Sequence, residues 1–180
     1  MKLLILDRDG VINQDSDDYI KSPDEWIPIP GSAEAIARLN AAGYKVVVAT
    51  NQSGVGRGYF SLHTLDAIHA KMGKTVAAAG GAIAGIYYCP HAPEDNCNCR
   101  KPKAGLIEQI AAEHGSVTGV SVVGDSLRDL ECGLPLGCSP VLVRTGKGER
   151  TLAKGLPAAL ASTPVFDSLA DFVDAFLQRE

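Results

Sequence analysis

Short runs of consecutive apolar residues recur along the chain, and each run ends in a polar or glycine-containing segment. The first run is Leu3 to Leu6, which is followed at once by Asp7. An apolar run of this length that stops at a turn signal is typical of a strand buried on both faces of a parallel sheet. The other predicted strands are 45–49, 83–89, 120–123, 141–143 and 165–166.

Segments with helical periodicity lie between these strands. Ser32 is predicted to cap a helix that ends near Ala42, with Gly43 immediately after it. The other predicted helices are 61–79, 103–114, 127–136 and 169–179. Strands that alternate with helices indicate βαβ units, so we predict an α/β fold with a doubly wound parallel sheet, formed by residues 1–180 as one domain.

Composition narrows the classes of partner. A length of 180 residues is typical of a single domain with one hydrophobic core. The net charge of −4 argues against a nucleic acid as the main partner, but it still allows a small phosphorylated substrate. No apolar run is long enough to span a membrane, and the apolar start of the chain is too short for a signal peptide. We therefore expect a cytoplasmic protein with neither a membrane nor a nucleic acid as its partner, and a monomer.

Polar residues follow three of the predicted strands. Asp7 and Asp9 end the first, residues 50–51 end the second, and Asp125 and Asp129 follow the fourth. Of two neighbouring carboxylates, one can attack a phosphorus atom while the other transfers protons. Carboxylates that meet at one sheet edge repel each other unless a cation lies between them, and oxygen ligands favour Mg²⁺. The alternative is an acidic turn that merely closes a strand.

A second cluster of candidate ligands follows the third predicted strand. In a cytosolic chain, three thiols and one imidazole within eleven residues indicate a metal site rather than disulfides. Four protein ligands make a closed tetrahedral site, so we predict a structural Zn²⁺ that stiffens this loop. The alternative is free thiols beside a surface histidine. The predicted zinc ligands are Cys89, His91, Cys97 and Cys99.

Four motifs in chain order resemble those of phosphatases of the haloacid dehalogenase superfamily: Asp7-Arg8-Asp9-Gly10, Thr50-Asn51, Lys101, and Gly124-Asp125 with Asp129. The resemblance covers most of the chain and implies a Rossmann-like fold. It implies that Asp7 attacks phosphorus and becomes an aspartyl phosphate. It also implies that Asp9, protonated at the start, is the general acid and then the general base.

The same resemblance implies the remaining roles at the reaction centre. Mg²⁺ is expected on the carboxylates of Asp7 and Asp125 and on the backbone carbonyl of Asp9, and Thr50 and Lys101 are expected to hold the transferring phosphoryl group. Asp129 is expected either to hold Lys101 or to bind a metal-bound water, unless it is only a solvated carboxylate.

The predicted zinc loop runs into Cys-x-Cys-Arg-Lys-Pro, and this pattern indicates a narrower group within the superfamily. It resembles the heptose bisphosphate phosphatases, which remove the C7 phosphate of D-glycero-D-manno-heptose 1,7-bisphosphate in ADP- or GDP-heptose synthesis, and also the histidinol-phosphate phosphatases. Residues 50–58 and 86–91 look closer to the heptose enzymes, whereas the short spacer between His91 and Cys97 is similar to the histidinol-phosphate branch. Ser126 stands where some heptose enzymes have a lysine, which leaves the anomer open.

The spacing of the motifs leaves no room for a cap domain, so we expect an open cleft shaped by loops 13–30, 53–60 and 89–100. Arg100 is expected to contact the sugar or its distal phosphate. The predicted substrate contacts are Asp15, Tyr19, Asn51, Gln52, Ser53, Arg57, Arg100 and Ser126. Two other functions stay open: a polynucleotide 3′-phosphatase, disfavoured by the acidic balance, and a catalytically silent binding module, disfavoured by the intact motifs.

Weaker signals give four structural expectations. The glycines of 54–58 indicate a flexible loop, and the histidines at 63, 69 and 114 are predicted on helix surfaces. Cys132 and Cys138 are expected in the core, and Trp26 is expected to pack the long loop before the first helix.

Overall fold

The computed structural model describes residues 2–179, and its centre is a six-stranded sheet in which all paired strands are parallel. The strand order β3-β2-β1-β4-β5-β6 places β1 next to the middle. This arrangement confirms the predicted doubly wound parallel sheet. The strands are β1 Leu3–Leu6, β2 Lys45–Asn51, β3 Gly85–Cys89, β4 Ser121–Gly124, β5 Ser139–Val143 and β6 Val165–Phe166.

Helices cover both faces of the sheet. They are α1 Ser32–Ala41, α2 Ser53–Gly56, α3 Leu62–Ala78, α4 Gly105–His114, α5 Leu127–Cys132, α6 Gly148–Lys154 and α7 Leu169–Gln178. Alternate residues of β1 point to opposite faces, as the pleat requires. Leu4 and Leu6 pack with α1, α3 and α7, whereas Leu3 and Ile5 pack with α4.

Several predicted boundaries were wrong for local reasons. Ser32 is the first residue of α1 rather than its cap, because its hydroxyl donates to the carbonyl of Val11 at 2.8 Å. The predicted helix 127–136 ends at Cys132, since Gly133 follows it and a 3₁₀ turn with Pro at its second position takes over. Helices α2 and α6 were not predicted.

Residues 53–56 form the short helix α2, so the prediction of a flexible loop was wrong for residues 54–56, whereas Gly58 lies in the exposed segment after the helix, where an added Cβ would meet no atom within 4 Å. Gly56 lies against the loop after β3: its N–H donates to the carbonyl of Pro90 at 2.8 Å, and a Cβ on Gly56 would lie 2.6 Å from the backbone nitrogen of Ala92. Glycine is required here because two backbones touch. This contact holds the end of α2 against the loop that carries the cysteine cluster.

The buried side chains confirm two other expectations and contradict one. Trp26, Cys132 and Cys138 are buried, as predicted. His69 is also buried, although it was predicted on a helix surface. Within residues 2–179, the segments between the motifs form only loops and the helices and strands given above, so no separate cap covers the carboxyl edge of the sheet. In the same part of the chain, no helix combines the length and apolar character needed to cross a bilayer.

Candidate active site

The carboxyl ends of the central strands surround a cavity of about 250 Å³. All the residues predicted for catalysis, substrate contact and magnesium line this one cavity: Asp7, Asp9, Asp15, Tyr19, Thr50, Asn51, Gln52, Ser53, Arg57, Arg100, Lys101, Asp125 and Ser126. Five further lining residues were not predicted as substrate or metal contacts: Ser16, Asp17, Ile20, Arg128 and Lys147. The volume is near the lower end of sites for small molecules.

Lys101 is the buried cation of the cavity. Its Nζ donates to Oδ1 of Asp7 at 3.1 Å, to Oδ1 of Asp129 at 2.5 Å and to the carbonyl of Ala49 at 2.8 Å. Burial acts against the charge, but the two carboxylates keep the pKa of Lys101 above its ordinary value. The ammonium is therefore charged and aimed at the oxygens of Asp7.

Asp129 holds Lys101 rather than facing solvent. Its other oxygen, Oδ2, accepts from the backbone N–H groups of Asp125 and Ser126, both at 3.1 Å, and from the Ser126 hydroxyl at 2.9 Å. Burial opposes ionisation, but Lys101 and these donors lower the pKa of Asp129. Of the roles considered for this residue, the structure supports the one in which it positions Lys101.

Three carboxylates lie close enough to share one cation. Oxygens of Asp7, Asp125 and Asp129 lie within 4.8 Å of one another. Burial and its two acidic neighbours raise the pKa of Asp125 to about 9, and burial and Asp129 raise the pKa of Asp7 to about 7. Lys101 is shared between Asp7 and Asp129, and within residues 2–179 Asp125 forms no ion pair, so one ammonium faces three carboxylates. A further cation would relieve this repulsion, and the hard oxygen donors of Asp7 and Asp125 fit Mg²⁺.

Asp9 has a different environment from Asp7. Its Oδ1 accepts from Nε of Arg8 and Nδ2 of Asn13, both at 2.9 Å, and its Oδ2 accepts from Nε2 of Gln52 at 3.1 Å. Burial opposes ionisation, yet Arg8 and these donors lower the pKa of Asp9. The expectation that Asp9 starts protonated therefore does not describe the site without substrate.

The amide side chains at the end of β2 and directly after it position other residues of the site. Nδ2 of Asn51 donates to the carbonyl of Lys101 at 3.1 Å, and Oδ1 of Asn51 accepts from the N–H of Lys101 at 2.9 Å. Asn51, which was expected to bind substrate phosphate, thus uses its amide to hold the backbone of Lys101. Gln52 also donates to Oγ1 of Thr50 at 2.9 Å, which links Thr50 to Asp9.

Two glycines let the loops after β1 and β5 meet at Asp125. Gly10 and Gly146 have φ values of 86° and 58°, and a Cβ on either residue would lie 2.0 or 2.3 Å from Oδ2 of Asp125. The same oxygen accepts from the backbone N–H of Lys147 at 2.8 Å. Lys147 thus belongs to the site. The sequence signal that could have indicated this is Gly146, which comes directly before Lys147 in the segment that follows a predicted strand.

Three arginines, Arg57, Arg100 and Arg128, line one side of the cavity, and we call them the arginine cluster. Among residues 2–179 none of the three forms a salt bridge. Nη1 of Arg100 is buried without a hydrogen-bond partner. Burial and the charges of Arg128 and Arg57 lower the pKa of Arg100. Such a group of cations is suited to an anion.

A short segment, residues 15–19, also lines the cavity and is held at both ends. Asp15 pairs with Nζ of Lys147 at 3.2 Å, and Asp17 accepts two bonds of 3.0 Å from the guanidinium of Arg150. Tyr19 packs edge-on against Tyr59 with ring centroids 5.1 Å apart. Asp15 and Tyr19 are thus held by the residue before α6 and by the segment after α2.

The predicted zinc ligands converge in the loop after β3. Ligand atoms of Cys89, His91, Cys97 and Cys99 lie within 4.8 Å of one another, and all the cysteines of the chain are free of disulfides. Burial tends to raise the pKa of Cys97, but hydrogen bonds from backbone N–H groups of the loop lower it to about 6, which favours a thiolate. The soft donors and their number fit a tetrahedral Zn²⁺ with no open position.

Comparison with known proteins agrees with this geometry. Residues 98–172 match a family described as HAD-hydrolase-like, and residues 2–126 match the polynucleotide kinase 3 phosphatase family. A D-glycero-β-D-manno-heptose-1,7-bisphosphate 7-phosphatase of Pseudomonas aeruginosa is 58% identical over 98% of both chains. A protein of the same name from Neisseria meningitidis is 54% identical over 99% of this chain and 96% of its own.

A solved structure is similar over the whole length. The D,D-heptose 1,7-bisphosphate phosphatase of Bordetella bronchiseptica, crystallised with magnesium and phosphate, is 53% identical and superposes with a TM-score of 0.95 over 100% of both chains. The motifs, the sheet topology and these full-length similarities agree with one another. The chain therefore belongs to the haloacid dehalogenase superfamily and, within it, to the family of D-glycero-β-D-manno-heptose-1,7-bisphosphate 7-phosphatases.

Proposed function

We propose that this enzyme removes the C7 phosphate of D-glycero-β-D-manno-heptose 1,7-bisphosphate. The observation that carries the proposal is the pairing of two anion sites in one cavity. Asp7, Lys101 and Thr50 surround a place for the reacting phosphoryl group, and the arginine cluster offers a second place without a carboxylate partner. A sugar with a phosphate at each end suits both sites. The names of the full-length relatives support the same substrate and the β anomer.

The first step is attack by Asp7. A carboxylate oxygen of Asp7 forms a bond to phosphorus while the bond from phosphorus to the sugar oxygen breaks, which leaves an aspartyl phosphate. Asp9 gives a proton to the leaving oxygen. Asp9 is ionised in the free site, but a phosphate dianion beside it raises its pKa, since like charges favour the protonated form. Substrate binding thus supplies the acid form.

The second step returns the enzyme to its starting state. Asp9 takes a proton from a water molecule, whose oxygen attacks phosphorus and releases Asp7 and inorganic phosphate. Lys101 and Thr50 stabilise the oxygens that carry charge in both steps. Mg²⁺ held by Asp7 and Asp125, and by the Asp9 carbonyl as predicted, would neutralise charge on the phosphoryl oxygens.

The alternatives fit the cavity less well. Histidinol phosphate carries one phosphate and an ammonium group, so the arginine cluster would face a cation instead of a second anion. A polynucleotide 3′-phosphatase, whose family matches residues 2–126, would act on a polyanion, whereas this chain has a net charge of −4. Both remain useful test substrates.

We also propose the setting in which the enzyme works. Residues 1–180 form one domain that acts as a monomer in the cytoplasm, without nucleic acid as a partner. Zn²⁺ serves structure and Mg²⁺ serves catalysis. The product is a heptose 1-phosphate, which a nucleotidyl-transferring enzyme would consume in ADP- or GDP-heptose synthesis.

A substrate panel tests the proposal. We expect kcat/KM to be highest for the β-heptose bisphosphate, and lower for its α anomer, for histidinol phosphate and for a 3′-phosphorylated oligonucleotide. A preference for histidinol phosphate would overturn the heptose assignment but leave the phosphatase chemistry in place.

Substitutions separate the two anion sites. Arg100→Ala and Arg128→Ala should lower kcat/KM for the bisphosphate by about tenfold or more, because each removes a charged hydrogen-bond donor from the distal phosphate, and should change a small monoester much less. Lys101→Ala should damage both substrates alike. Arg144→Ala is the matched control, since Arg144 pairs with Glu149 and Asp167 outside the cavity. Equal losses on both substrates for Arg100→Ala would exclude its discriminating role.

A further inference from the structure

Arg8 lies beneath the cleft and connects Asp9 to helix α3. The side chain is fully buried, and its Nε and Nη2 atoms lie 2.9 and 2.7 Å from Oδ1 of Asp9. Its third nitrogen, Nη1, lies 3.1 Å from Nε2 of His69. The imidazole of His69 packs against Tyr88, with ring centroids 5.9 Å apart. A histidine from outside the four motifs thus completes the surroundings of Arg8.

The contact fixes the protonation state of His69. A guanidinium has donors only, so Nε2 of His69 must accept the hydrogen bond and the proton must lie on Nδ1. Burial and the neighbouring charge of Arg8 lower the pKa of His69 to about 4. At neutral pH His69 is therefore an uncharged acceptor.

The bonds around Asp9 give its two oxygens different tasks. Oδ1 is held by Arg8 and Asn13, whereas Oδ2 has a single partner, Gln52, at 3.1 Å. The less engaged oxygen, Oδ2, is the one able to carry the proton. If the guanidinium turned, Oδ1 would lose the Nε hydrogen bond and the Nη2 ion-pair contact, and the carboxylate would lose its orientation.

We propose that His69 is a positioning residue for proton transfer by Asp9. By accepting from Nη1, His69 fixes the plane of the Arg8 guanidinium, and Arg8 then holds Asp9 with Oδ2 toward the leaving oxygen. Without His69, a buried donor of Arg8 would lack a partner, which favours rotation of the group. This inference rests on the proposed phosphatase function, in which Asp9 is the general acid.

The test uses the dependence of rate on the leaving group. A sugar alkoxide must be protonated as it leaves, whereas p-nitrophenolate is stable as an anion and needs little help. We expect His69→Leu to lower kcat/KM for the heptose bisphosphate by about tenfold, which is a part of the usual contribution of a general acid. For p-nitrophenyl phosphate, kcat/KM should stay within about threefold of the value for the original enzyme. His69→Gln, whose amide oxygen can accept from Arg8, should restore most of the loss.

Two controls keep the outcomes distinct. Asp9→Asn should show the same preference for p-nitrophenyl phosphate more strongly, and Met72→Leu, a buried change on the same helix, should show none. If Asp9→Asn impairs both substrates equally, the acid role in the proposed function is wrong, and the inference falls with it. If Asp9→Asn discriminates but His69→Leu does not, the inference alone is overturned. Should His69→Leu not fold, His69→Asn replaces it, because its shorter amide does not reach Arg8.

Discussion

Two carboxylates separated by one residue acquire different chemistry from their neighbours. Asp7 faces Asp125 and the ammonium of Lys101, so it has one oxygen near a cation and charge repulsion that a metal relieves. Asp9 faces Arg8 and two amide donors, which hold it as an oriented anion. The proposed nucleophile and the proposed acid–base group are therefore distinguished by their surroundings, although the residue type is the same.

Replacement of Asp7 tests its proposed role as the nucleophile. Asp7→Asn should fold and bind phosphate but should lose about 10³-fold or more in kcat, because an amide cannot form the acyl phosphate. Kinetics and a thermal melt on the same preparation check both statements. Asp24→Asn, an exposed carboxylate that does not line the cavity, should behave like the unmodified enzyme. Activity within tenfold of the original after Asp7→Asn would exclude Asp7 as nucleophile.

Among the elements, the loop after β3 carries both the predicted zinc ligands and two of the proposed active-site cations. Cys99 is followed directly by Arg100 and Lys101, and the backbone of Lys101 is held by both amide atoms of Asn51 at the end of β2. The loop is thus fixed at one end by the cysteine cluster and at the other by a neighbouring strand. The proposed function requires a rigid loop, because a cation proposed for catalysis and one proposed for substrate binding both lie on it.

Loss of the zinc ligands should therefore affect both stability and catalysis. We expect about one zinc per chain by elemental analysis, and we expect Cys97→Ser to lower the thermal midpoint and to reduce kcat/KM by about tenfold or more. Added Mg²⁺ should not restore the activity. Cys138→Ala is the control, since Cys138 is buried outside the cluster. A stable, active preparation that contains no zinc would contradict the structural role.

At the scale of the whole molecule, the apolar runs were sufficient to predict the sheet, because a strand buried on both faces leaves an unbroken apolar signal. Helix α6 was missed because Leu152 is its only large apolar residue, and α2 because two of its four residues are glycines. The position of His69 was predictable: it lies four residues after the buried Leu65, on the same face of α3.

Site residues that belong to a sequence motif were predicted. Residues that join the site only because the fold brings them close were missed. Asp7, Lys101 and Asp125 come from separate segments that the motifs identify. Arg128 is an exposed residue in the first turn of α5, and no linear pattern distinguishes it from a solvated charge. Its proximity to Arg100 depends on how two loops meet at the sheet edge.

The acidic centre predicts how the whole protein responds to pH and Mg²⁺. The folded-state pKa values of Asp125 and Asp7, about 9 and about 7, lie above the unfolded value of roughly 3.9, so the folded state binds more protons in this window. Stability of the metal-free protein should therefore fall as pH rises from 7 to 9. Two groups act in the opposite sense: neutral His69 below about pH 6.5, and Cys97, whose pKa is lowered to about 6, between about pH 6 and 9. The test therefore belongs above pH 7, and the difference between the original protein and Asp125→Asn isolates the carboxylates.

Thermal melts with and without Mg²⁺ measure this effect. For a chain of this size each kcal/mol shifts the midpoint by about 2–4 °C, so we expect a fall of a few degrees without metal and a growing stabilisation by Mg²⁺ as pH rises. In Asp125→Asn both effects should be much smaller. A Mg²⁺ stabilisation that is constant from pH 7 to 9 would argue against these two carboxylates as its ligands.

The open cleft has a consequence for the fate of the phosphorylated enzyme. The side chains of Asp7 and Asp9 are 12% and 24% exposed, and no cap covers them within residues 2–179. Once the sugar has departed, small alcohols have the same access to the aspartyl phosphate as water does. We expect the enzyme to transfer part of its phosphoryl groups to glycerol at high glycerol concentration, with glycerol phosphate as the detectable side product.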